Sequence, residues 1–91
     1  MKSAYELAME RLSKGEPEKK LTAEQKARLA DINNRFQAKL AERETFLQGL
    51  LVKAEAADDL TEMAQVRLQI RRDLQGIRDE WAEKKDSVWK E

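Results

Sequence analysis

Glu55-Ala56-Ala57-Asp58-Asp59-Leu60-Thr61-Glu62 interrupts two long helical patterns, and its reading decides the fold. Asp59 followed three residues later by Glu62 has the form of a helix N-terminus, with a short acceptor at the cap and a carboxylate that can reach back. Acidic residues there also suit the partial positive charge of a helix start. If the chain reverses at Asp58-Asp59, everything from Thr22 to Glu91 becomes one antiparallel helical hairpin. Asp58, Asp59 and Glu62 could instead be read as cation ligands. A calcium loop, however, needs more oxygens and usually a glycine at its sharp turn.

The two arms carry matching apolar stripes. Before the break, Leu29, Ile32, Phe36, Leu40, Phe46, Leu47, Leu50 and Ala54 share one face at spacings near 3.6, which favours a nearly straight packed helix. After it, Met63, Val66, Ile70, Leu74, Ile77, Trp81 and Val88 do the same, flanked by Leu60 and Trp89, while Leu68 points away. Thr22-Ala23-Glu24-Gln25 reads as a capping box that starts the first arm. Gly49 and Gly76 each sit inside an arm, where a long helix tolerates one glycine at ~1 kcal/mol.

A turn centred on Asp58-Asp59 places positions whose numbers sum to about 117 at one level. Leu47 then meets Ile70, Leu40 meets Ile77, Phe36 meets Trp81 and Leu29 meets Val88. Arg43 is a charge inside the stripe, and an Arg43–Asp73 salt bridge would resolve it and pin the register. Glu24–Arg28, Asp31–Arg35, Glu80–Lys84 and Asp86–Lys90 are spaced for local ion pairs, with the acid four residues before the base.

Residues 1–13 read as a short amphipathic helix opened by a Ser3-Ala4-Tyr5-Glu6 capping box. Met1, Tyr5, Met9 and Leu12 lie on one stripe, with Leu7 on the opposite side. A helix this short is below the ~12–15 residues needed for marginal stability alone, so it must dock or fray. Residues 14–21, with Gly15 and Pro17 among alternating charges, read as a linker.

Composition narrows the function. Charged residues make up 40% of the chain, and there are only three glycines and one proline, as in long helices and coiled coils. Acidic and basic residues balance to a net charge of zero, so no bulk field draws the chain to nucleic acid or an anionic membrane. Cysteine and histidine are both absent. That removes thiolate chemistry and the commonest general base and metal ligand. With no phosphate loop, nucleophile elbow or ligand cluster either, the expectation is a non-enzymatic protein without cofactor or metal. Met1 to Leu12 lacks the apolar core of a signal peptide, and no apolar run approaches the ~20 residues of a membrane span. The expected location is cytoplasmic.

Lys2-Ser3-Ala4-Tyr5-Glu6-Leu7-Ala8-Met9-Glu10-Arg11-Leu12, Leu21-Thr22-Ala23-Glu24-Gln25-Lys26 and Ala38-Lys39-Leu40-Ala41-Glu42-Arg43-Glu44 resemble a group of small, uncharacterised, coiled-coil-like helical proteins of bacteria. The resemblance covers the first half of the chain. It implies a bacterial origin and a recurring helical design in which the N-terminal helix belongs to the working unit. It brings no activity and no site residues.

The sequence therefore predicts an all-α fold, a short N-terminal helix followed by a long antiparallel hairpin. A hairpin alone leaves part of each stripe uncovered. The N-terminal helix, a second copy or a different helical protein could cover it; oligomerisation into a helical bundle is expected, with a homodimer as first choice and another helical protein as second. The function this suggests is protein–protein association, as self-assembly or as a small adaptor or scaffold. The interface candidates are Tyr5, Met9, Leu12, Phe36, Phe46, Leu51, Leu60, Trp81 and Trp89, although Phe36 and Trp81 suit an internal core better. The alternative is a nucleic-acid- or ribosome-associated protein using Arg67, Arg71, Arg72 and Arg78 on phosphates. Against it, residues 58–91 hold more acids than bases.

Overall fold

The computed structural model of the chain describes residues 3–13 and 21–91, the backbone alone at Ala8 and at 11–13. Three helices follow in order: α1 (Ala4–Ser13), α2 (Ala23–Ala56) and α3 (Leu60–Trp89). α2 and α3 pack along their lengths as an antiparallel hairpin, and α1 packs on α3. The expected linker falls outside the described residues except for Leu21, as do Met1 and the side chain of Leu12.

α2 starts at the capping box read from the sequence. The Gln25 amide donates to Thr22 Oγ1 (3.0 Å) and the Thr22 amide donates to Gln25 Oε1 (2.8 Å). This reciprocal pair explains why Gln25 is buried. α3 starts at Asp59, whose Oδ1 accepts from the Glu62 amide at 3.0 Å.

The reversal between them takes only Ala57, Asp58 and Asp59. Asp58 has φ 56°, in the left-handed region. Its amide donates to the Glu55 carbonyl and that of Asp59 to the Ala54 carbonyl, both at 3.1 Å. This is a Schellman motif, which satisfies the last carbonyls of a helix and is usually built on glycine. Aspartate is one of the few other residues that visit this conformation. One acid thus ends α2 and the next begins α3.

The core is the seam between the long helices. Leu47 is completely buried, and Phe36, Ala54, Val66, Leu74, Ile77 and Val88 join it. Contacts across the seam reproduce the expected register. The bonded pairs have numbers that sum to between 114, for Asn33 with Trp81, and 119, for Lys39 with Glu80. Arg43 does pair with Asp73, its Nη2 and Nε both donating to Oδ2 at 2.7 and 3.0 Å.

The local ion pairs are corrected in part. Asp31–Arg35 and Asp86–Lys90 form along their helices, at 2.9 and 2.8 Å. Arg28 and Glu80 reach across the seam instead, Arg28 to Glu91 (2.6 Å) and Glu80 to Lys39 (3.3 Å). Each pairs with the charge that the neighbouring helix brings to its level rather than with the charge one turn away.

Candidate functional site

Two features stand out beyond the seam. The first is an open groove of about 860 Å³ on one face of the hairpin. One wall is Lys39, Glu42, Arg43 and Phe46 of α2, and the other is Arg72, Asp73, Gly76, Ile77 and Glu80 of α3. The apolar stripe and the exposed charges meet here because these positions lie at the stripe's margin. Phe46 is 55% exposed, and the Arg43 guanidinium lies over its ring at 5.3 Å from the centroid. Opposite, Gly76 leaves the α3 wall bare, and a Cβ built there would meet nothing within 4 Å.

The second is the docking of α1 at the open end of the hairpin. Ser3 Oγ accepts from the Glu6 amide (3.1 Å), one arm of the expected capping box. The carboxylate of Asp86 on α3 accepts from the Ala4 and Tyr5 amides, so a neighbouring helix supplies the anion that the start of α1 favours. The hydrogen bond from Lys90 is the main cause holding the Asp86 carboxyl below its ordinary range, and the amides of α1 reinforce it against partial burial.

Tyr5 sits edge-on to Trp89, with centroids 6.0 Å apart. Lys85 Nζ lies 4.9 Å from both the Tyr5 and Trp81 ring centroids, and Trp81 stacks on Phe36 at 6.2 Å. The Lys85 ammonium therefore sits between a ring of α1 and a ring of the seam, a favourable arrangement for ring faces.

The interface candidates divide accordingly. Phe36 and Trp89 are buried, and Trp81 is half-buried with its indole N–H donating to Asn33 Oδ1 at 2.9 Å. These three are packed within the chain, with Trp89 against α1 rather than loose at the margin of the stripe. Tyr5 makes the Trp89 contact yet stays partly exposed, Leu51 is half-buried, and Met9, Phe46 and Leu60 are exposed. Leu12 lies outside the described side chains.

The four arginines do not form one cluster. Spacings of four and seven put Arg67, Arg71 and Arg78 on one exposed face, whereas Arg72 is turned about 100° from Arg71 and lines the groove. Sequence reasoning missed the groove's composition and the role of Asp86. A Phe46 at the margin of one stripe and a glycine on the facing arm were the available signals.

No group of three or more metal-binding side chains occurs among the described residues, and none of their helices is long and apolar enough to cross a membrane. Comparison with protein families, with curated proteins and with solved structures returns no match for the chain.

Proposed function

We propose that the chain is a non-enzymatic association module that binds helices through the α2–α3 groove. Phe46 carries this reading: a large aromatic ring, more than half exposed, lines a groove whose other wall is left bare at Gly76. Exposed aromatic anchors beside arginine are the residue types that dominate protein interfaces. A groove between two helices suits an amphipathic helix laid along it.

The test compares the full chain with Phe46→Asp by light scattering across a concentration series, and by cross-linking in a native bacterial extract. Association that is lost in the variant, with helicity unchanged, is the expected outcome. A monomer at all concentrations with no Phe46-dependent cross-link overturns the reading.

A second reading rests on Arg67, Arg71 and Arg78 sharing one exposed face. Contact with RNA or DNA phosphates through them requires a salt-dependent mobility shift that Arg71→Glu weakens. The excess of acidic residues over 58–91 weighs against it.

A further inference from the structure

We infer that the groove's occupant is the same groove of a second copy, in a two-fold dimer whose Glu42 and Arg72 exchange ion pairs between chains. The inference rests on the association reading and names its partner. Of the groove's charges, Lys39 is paired with Glu80 and Arg43 with Asp73. Glu42 and Arg72 are left over, one acid and one base on opposite walls, without an ion-pair partner among the described residues.

Their placement suits a two-fold axis parallel to the long direction of the hairpin. In the register of the seam, Arg72 stands at the level of Thr45, three residues from Glu42, an axial offset of about 4.5 Å. Such an axis lays α2 over the partner's α3 and brings Glu42 within side-chain reach of the partner's Arg72. Symmetry repeats the pair with the roles exchanged. Arg43 stands at the level of Leu74 and so lies over the stretch between the partner's Arg72 and the partner's Gly76, where the missing side chain gives it room, while Phe46 stands at the level of Arg71, just beyond the partner's Arg72. Every helix of the resulting four is antiparallel to both its neighbours, the arrangement of an up-down bundle.

Three further observations fit a second copy. The protein measures 56 × 25 × 17 Å, so its broad face exceeds the roughly 800 Å² that each partner of a standard interface buries. A net charge of zero leaves no overall repulsion between copies. α1 does not compete, because its contacts Lys85, Asp86 and Trp89 lie toward the open end of the hairpin, beyond Glu80 at the end of the groove.

Charge reversal tests the inference. Sedimentation equilibrium of the full chain should give a dimer. Glu42→Arg and Arg72→Glu should each weaken it about tenfold or more, and the two together should restore it, with the same circular dichroism throughout. Neither residue is buried, and neither is paired among the described residues, so the variants keep the hairpin. A dimer indifferent to the single reversals, or not rescued by the double one, overturns the inference while leaving association through another face. A monomer at all concentrations also overturns it, and Phe46-dependent binding of a different protein would then uphold the association reading alone.

Discussion

Arg43 places two N–H groups on a single oxygen of Asp73, and this contact joins two helices at positions thirty residues apart in sequence. Both side chains remain partly exposed, so solvent screens the pair. A double-mutant cycle with Arg43→Ala and Asp73→Ala is expected to give a coupling of roughly 0.5–1 kcal/mol in urea unfolding. A coupling near zero would mean that the apolar stripe sets the register unaided.

Leu47 is wholly enclosed at the centre of the seam. Leu47→Ala should cost about 3 kcal/mol, because two helices have little capacity to collapse around the lost side chain. Denaturant midpoints read this directly. In a chain this small the variant is expected to be largely unfolded on mild warming.

Asp58 adopts a left-handed conformation that glycine occupies without strain. Asp58→Gly should therefore stabilise the hairpin by about 0.5–1 kcal/mol, although glycine also loosens the unfolded chain. A lower midpoint would indicate that the carboxylate contributes more than its backbone geometry suggests.

Gly76 is helical and has open space where a Cβ would stand. Gly76→Ala should raise stability by about 0.5–1 kcal/mol. Thermal melts at a concentration where only one species is present would check this without the influence of association.

The docking of α1 should depend on acid. Lys90 first, and then the Ala4 and Tyr5 amides, hold the Asp86 carboxyl below its ordinary value. A group depressed on folding contributes fully above its unfolded value, about 3.9, and its contribution is lost as pH falls through the lower folded value. The protection of the Ala4 and Tyr5 amides, taken relative to their intrinsic exchange rate at each pH, should fall in that acidic window while α2 and α3 stay protected. Asp86→Asn should abolish the pH dependence, and unchanged protection in acid would refute it.

The hairpin was legible because several signals agreed. Apolar spacing marked the seam, Thr22 and Asp59 marked the helix starts, and Arg43 inside the stripe pointed to its own counter-charge. The Schellman turn was not legible at Asp58, since the usual glycine is absent and aspartate there reads equally well as part of a cap. Asp86 was legible in part: its spacing from Lys90 gave the local pair that forms, but nothing in sequence shows that the same carboxylate also receives the start of another helix. Trp89, at the margin of the stripe, was the clue that something further must cover α3. With Lys85 it begins a second contact face on α3, and such a face calls for a third helix. The groove was hidden for a different reason, because it depends on what two helices together leave unfilled.

The two tryptophans occupy different joints of the molecule. The Trp81 indole is hydrogen-bonded across the seam to Asn33, whereas the Trp89 ring stands against Tyr5 of α1. Opening the hairpin must disturb the first, and lifting α1 need disturb only the second. Single-tryptophan variants therefore turn intrinsic emission into two separate optical gauges, one for the closure of the arms and one for the seating of the N-terminal helix.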